Sequence, residues 1–285
     1  MIKRLATLLI LIALFYGCNT TSNESDKKTI YVTIAPLRAL VEEITDGDYD
    51  IEVLVPKGAS PETFEPTVSN LIALNDAEQI FSIGLINFEQ SLVNSVKERD
   101  KVVNLSQGIE LIAGSCSHCN HAHTHGIDPH IWTSPRALKQ VVENIGLAMH
   151  RVAPDSIKYR DNADKLLHKI NRLDSLCSSN ITSKGVDAIM IYHPVFTYYA
   201  KDYDIEQISV EQDGKEPSPR QLTALVEKAR QHNISKLLIQ PQYSKDKLRA
   251  LATECGAEIV EIDPLSEDIM AEIERVTDLI CGSDE

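Results

Sequence analysis

From Thr29 to the C-terminus, short runs of β-branched and apolar residues alternate with longer stretches whose apolar residues recur at helical spacing. The strand candidates in the first half are Thr29 to Ile34, Ile51 to Val55, Gln79 to Ile83 and Val102 to Leu105. The second half repeats the pattern with Asp187 to Tyr192, Glu206 to Val210, Lys236 to Ile239 and Glu258 to Ile262. Strands that alternate with helices in this way predict parallel sheets covered by helices. The expected fold class is therefore α/β, in two lobes, each with a parallel sheet flanked by helices.

Between the two sets of strands, no Gly or Pro occurs from Asp155 to Lys184, and Leu166, Ile170, Leu173 and Cys177 recur at offsets of four, three and four. This is one face of a helix. Pro154 and Asp155 supply a start and Gly185 a stop, giving a helix of about 40 Å at 1.5 Å per residue, long enough to join two lobes directly. A second helix is expected just before it, capped by Ser134, with Pro135 at its first position and Val141, Ile145 and Ala148 on its apolar face. The expected organisation is an N-terminal lobe over 29–150, a linking helix over 151–184 and a C-terminal lobe over 185–285. No short internal repeat interrupts this plan, which argues against a solenoid.

The first residues follow a different pattern. Lys3 and Arg4 precede an apolar run from Leu5 to Tyr16, which ends at Gly17 and Cys18. A run of about 12 residues is too short to span a ~30 Å hydrocarbon core, and it resembles a bacterial lipoprotein signal, in which the chain is cut before a cysteine that then carries lipid. Residues 1–18 are thus expected to be a signal ending at a lipidated Cys18. Residues 19–28, polar and unable to bury a core, would be a tether. The expected location is the bacterial cell envelope, outside the cytoplasm, with the membrane reached through the lipid alone.

Composition narrows the function classes. The chain has 285 residues, 43% of them apolar and 25% charged, as for an ordinary soluble globular protein of two domains. Its formal charge of −14 leaves no basic stripe for phosphates, so nucleic acid is not an expected partner. An acidic surface suits a carrier of cations. If Cys18 is lipidated, five of the six cysteines remain. A disulfide is permitted outside the cytoplasm, and the pair expected is Cys255 with Cys281.

Four segments set a metal-capable side chain just past a predicted strand, where open α/β sheets bind ligands. The strand from Ile51 runs into a turn-rich loop carrying Glu62 and Glu65. His130 follows Asp128-Pro129, with Asp128 able to orient its imidazole through a hydrogen bond. His193 ends the run Ile189 to Tyr192, and Asp263 ends Ile259 to Ile262. Singly, each could be a solvated or locally hydrogen-bonded polar residue. Jointly, Glu62, His130, His193 and Asp263 make a four-ligand site in the cleft between two lobes.

The segments Gly58 to Pro66, Asp128 to Pro135, His193 to Ala200 (HPVFTYYA), Glu216 to Pro219, Pro241-Gln242 and Asp263 to Leu265 resemble, in the same order, the zinc- and manganese-binding solute-binding proteins of ATP-binding-cassette importers. The resemblance runs from about Thr29 to the C-terminus. It implies two α/β lobes joined by one long helix, and a divalent metal held between them and handed to a permease. His130, His193 and Asp263 fall on ligand positions of that family, whereas Glu62 stands where a histidine is usual. His193 at the third position matches the zinc type, so zinc is the expected ion and manganese the alternative.

The loop from Cys116 to Gly126 carries His118, His121, His123 and His125, four of the nine histidines within eight residues. Neutral imidazoles suit zinc, so three readings of the loop stand open: an auxiliary site, the source of the ligand that Glu62 replaces, or a solvated loop that holds no ion. An enzyme is not expected. A secreted zinc hydrolase would need an open coordination position and a general base, and no H-E-x-x-H motif is present. A surface adhesin has no recognisable receptor face, and a monomer is expected.

Overall fold

The structure is a computed structural model that describes residues 27–114, 126–211 and 215–282. In the first half, β1 (Thr29–Val32), β2 (Asp50–Val53), β3 (Gln79–Ser82) and β4 (Val102–Asn104) form a parallel sheet in the order β2-β1-β3-β4. Helices α1 (Pro36–Thr45), α2 (Val68–Asp76) and α3 (Asn87–Ser95) connect these strands. In the second half, β5 (Ala188–Ile191), β6 (Glu206–Ser209), β7 (Lys236–Ile239) and β8 (Glu258–Glu261) repeat the arrangement as β6-β5-β7-β8. Here the connections are α6 (Thr197–Tyr203), α7 (Pro219–Gln231) and α8 (Arg249–Cys255), and α9 (Ile269–Cys281) follows β8. Every parallel strand in each sheet ends on the same side, so the loops leaving the C-terminal ends gather into one crevice.

Two helices lie between the sheets in sequence. In α4 (Pro135–Val152) the Ser134 hydroxyl accepts from the Arg136 and Ala137 amides, and Pro135 opens the first turn, where no amide is needed. Helix α5 (Ile157–Lys184) runs for 28 residues and stops where Gly185 adopts a left-handed conformation, φ 64°, that a residue with a Cβ resists. Tyr159, Ala163, Leu166, Ile170, Leu173, Cys177 and Ile181 form its buried stripe. The span 151–184 expected for the linking helix therefore includes the last two residues of α4 and a turn at 153–156. Pro154, which cannot donate within a helix, separates the two.

Apolar alternation along β5 assigns its two faces to different cores. Ile189 and Ile191 join a core that also contains Ile30 and Val32 of β1, the buried faces of α4 and α5, and Ile269, Ile273 and Val276 of α9. Ala188, Met190 and Tyr192 face the other way and pack with Leu225, Leu237, Ile239, Leu248 and Leu251. One continuous core thus reaches from the first sheet to the second. Three buried hydrogen bonds also tie the halves together. Trp132 Nε1 donates to Pro264 O at 2.8 Å, the Thr133 hydroxyl to Val195 O at 2.7 Å and the Tyr198 hydroxyl to Asp128 O at 2.8 Å.

The same partition overturns the expected Cys255–Cys281 disulfide. Both thiols are free. Cys281, at the end of α9, is buried in the core shared by the lobes, whereas Cys255, at the end of α8, packs against the second core. The second sheet lies between them.

Candidate metal centre

His130 sits at the mouth of a short 3-10 turn, Ile131–Thr133, and is only 7% exposed. Asp128 Oδ1 accepts the His130 amide at 2.9 Å and lies 2.8 Å from its Nδ1. His193 follows β5, with its backbone braced by the Gln240 side chain, whose amide donates to His193 O at 2.7 Å. Its Nδ1 is 2.6 Å from Oε1 of Glu211, a residue 6% exposed just past β6. Each imidazole thus sets Nδ1 against a buried carboxylate and turns Nε2 towards the crevice, the arrangement in which a histidine is held ready for a metal.

Both Nε2 atoms converge on one oxygen. Glu62 Oε1 lies 3.1 Å from His193 Nε2 and 3.8 Å from His130 Nε2. The Glu62 carboxylate comes from the loop after β2, in the other lobe from His193, and its side chain is 42% exposed, against 9% for His130 and 14% for His193. One ligand atom from each of the three residues falls within 4.8 Å of the others. Donors about 2.0 to 2.2 Å from a tetrahedral zinc are about 3.4 Å apart, so a metal fits this triad with small adjustments. Trp132 packs edge-on against the His130 ring at 5.2 Å, and Tyr243 lies beside the His193 ring at 5.8 Å. Pro129 and Pro264 complete an apolar wall around the donors.

The charges are tightly matched. Burial alone would lower the His193 pKa, but hydrogen bonds and charge from Glu211 and Glu62 outweigh it and hold the imidazole at about 9. Burial would likewise raise the Glu62 carboxyl, yet the hydrogen bond to His193 and the charges of His193 and His130 keep it below its usual value. Asp128 is also held low, its burial overcome by the charge and hydrogen bond of His130. A metal that takes His193 Nε2 must therefore displace a proton. Metal affinity is expected to fall by roughly tenfold per pH unit as the pH drops below about 9, with one proton released per ion. Calorimetric titrations in buffers of different ionisation enthalpy would check this, and a pH-independent affinity would contradict it. In the metal-free chain the dependence runs the other way. A raised His193 pKa stabilises the fold fully below pH 6.5, and that contribution is lost as the pH rises through about 9.

Among the sequence candidates, Glu62, His130 and His193 come together and Asp128 stands behind them. Asp263 does not join the triad. Its Oδ1 accepts the Leu265 amide at 3.1 Å, its own amide donates to Glu272 at 2.7 Å, and its side chain faces the neighbouring part of the cleft, lined also by Arg38, Lys57 and Gln242. Burial and the charges of Glu272 and Glu261 raise its pKa against the Leu265 amide and Lys57. Glu65 is exposed and outside the group. His118, His121, His123 and His125 lie outside the described residues, as does Cys18. The described residues on either side of those positions meet beside Asp128: Ala113 pairs with Ile127, and the Asp128 amide donates to Ile112 O at 2.9 Å.

Glu211 escaped the sequence reading, although the run Ile208-Ser209-Val210-Glu211 puts a carboxylate at a strand end as His193 and Asp263 are placed. Its pairing with His193 depends on β5 lying beside β6, which the local pattern does not reveal.

The model of the family described as zinc-uptake complex component A, periplasmic, matches residues 30–276. The high-affinity zinc uptake system protein ZnuA of Bacillus subtilis is 26% identical over 287 residues, covering 93% of this chain and 90% of its own length. The zinc-binding protein AdcA of Streptococcus pyogenes is 24% identical over 290 residues, covering 92% of this chain, which spans only 56% of that relative. Among solved structures, a zinc-bound deletion mutant of ZnuA superposes with a TM-score of 0.80 at 30% identity, covering 90% of this chain and 97% of that one.

Proposed function

We propose that this chain, which belongs to the zinc-uptake complex component A family of periplasmic proteins, captures zinc between its lobes and delivers it to the permease of an ATP-binding-cassette importer. Zinc is the cargo, bound without covalent change. The observation that carries the assignment is the convergence of His130 Nε2 and His193 Nε2 on Glu62 Oε1, with each imidazole backed by a buried carboxylate. Two neutral imidazoles and the Glu62 carboxylate supply borderline donors suited to zinc. Asp128 and Glu211 add negative charge just behind them, which favours a dication over a monovalent ion.

Glu62 supports both capture and release on this reading. Its exposed carboxylate exchanges the hydrogen bond to His193 for a bond to zinc, and is the ligand that water or a permease group reaches first. Glu62→Ala is expected to weaken zinc binding by at least about tenfold while leaving the metal-free fold intact, because the side chain is half exposed. A competition titration with a chelator of known affinity measures this. An unchanged affinity, combined with its loss when residues 115–125 are removed, would assign the third ligand to the histidine-rich segment instead.

Lipid attachment at Cys18 would hold the chain at the membrane; no helix among the described residues is long and apolar enough to cross one. We assign it to the extracytoplasmic face as a monomer. Because Zn²⁺ outranks Mn²⁺ on almost any such donor set, affinity alone does not name the physiological ion. Elemental analysis of the protein isolated from its own cell envelope tests the assignment, and manganese in place of zinc would overturn it.

A further inference from the structure

We propose that Glu211 is a positioning residue for metal capture: its carboxylate holds the Nδ1 proton of His193 and thereby presents Nε2 to the ion. The inference rests on the reading of His193 as a ligand. Glu211 leaves the C-terminal end of β6, and its amide donates to Tyr192 O at 3.0 Å, which seats it beside the residue preceding His193. Its side chain is 8% exposed, and among the described residues its ion-pair partner is His193, with Oε1 at 2.6 Å from Nδ1. A carboxylate so buried is stable only where a donor meets it, and the imidazole N–H is that donor.

Geometry indicates what the residue does. Gln240 fixes the His193 backbone but not the ring. A neutral imidazole free of Glu211 could place its proton on either nitrogen or turn its ring over, and both changes would hide the donor lone pair from the crevice. Glu211 removes that freedom. It lies on the opposite edge of the ring from Glu62, so a metal can displace the Glu62 contact while the Glu211 contact persists. Asp128 acts similarly on His130 but from the same loop, two residues away. Glu211 reaches His193 only through the pairing of β5 with β6, where Ile191 stands opposite Ser209, so the presentation of this ligand depends on the sheet.

The test combines zinc titration against a competing chelator with nitrogen NMR of His193 in the purified full chain. In the metal-free parent, above the pH at which His193 becomes neutral, the proton is expected on Nδ1. Glu211→Ala is expected to move it to Nε2 and weaken zinc binding by about 10- to 100-fold. Glu211→Gln, whose amide carbonyl can accept the same N–H, is expected to keep the Nδ1 proton and lose less than Glu211→Ala. A purely structural role would not move the tautomer. Zinc affinity in Glu211→Ala within about threefold of the parent, well short of the range for such partners, would overturn the proposal. So would a parent His193 that carries its proton on Nε2, a result that needs no variant to fold. If His193→Ala itself bound zinc normally, the ligand reading would fail instead, which separates the two outcomes.

Discussion

Zinc at a thousandfold excess over its dissociation constant raises the melting temperature of this protein by roughly 8 to 16 °C. A ligand at that excess that binds only the native state adds about 4.1 kcal/mol, and about 1 kcal/mol moves the transition of a 150–250-residue chain by about 2 to 4 °C. The triad exists in the native state alone, because Glu62, His130 and His193 are 68 and 63 positions apart in sequence and meet only when both sheets and their crevice are in place; zinc on the local run His118 to His125 would bind folded and unfolded chains alike and add nothing to the shift. The shift should appear in a single transition, since one core runs from β1 through α4 and α5 to α9. Scanning calorimetry with stepped zinc concentrations measures it. The absence of a shift with zinc, manganese or any other first-row ion would remove metal capture as the function.

His130→Ala and His193→Ala each reduce zinc affinity by more than about 100-fold, beyond the loss typical of residues that only support a ligand. Each substitution deletes one of three convergent donors and strands its buried carboxylate, Asp128 or Glu211, without the imidazole partner. Stranding a buried polar group costs about 1 to 3 kcal/mol or more, so both variants should also melt lower without metal. The two can be told apart. Asp128 keeps the amide of residue 130 as a donor, whereas Glu211 loses the ion-pair partner it has among the described residues. His193→Ala should therefore destabilise the metal-free fold more. Calorimetric titration and melting of both variants test the pair, and near-parent zinc affinity in either one removes that histidine from the site.

The shared core bears on how zinc leaves. A wide hinge opening would expose Trp132 and break its bond to Pro264, along with the Thr133–Val195 and Tyr198–Asp128 contacts. Trp132, Val195 and Pro264 line the crevice together with the three donors. Local movement of the exposed Glu62 loop disturbs none of them and is the less costly route to an open site.

The local sequence determined a good deal of this protein. Alternation of strand and helix patterns placed all eight strands to within two residues, because buried parallel strands and amphipathic helices leave periodic marks on their own residues. Ser134-Pro135 and Gly185 marked helix ends because capping is satisfied within one turn. His130 and Asp128 were legible together because two positions separate them. What only the tertiary structure decided depends on contacts between distant segments. Glu211 meets His193 because β6 lies beside β5, and Asp263 turns towards Leu265 and the adjoining cleft because of how its loop folds. Cys255 and Cys281 are kept apart by the faces their helices cover. The merging of two sheets into one core was equally invisible in either half. Periodicity reports which face of an element is buried, but not what is buried against it. A metal centre whose ligands come from separate strand ends is therefore foreseen as a set of candidates, and the fold selects which of them meet.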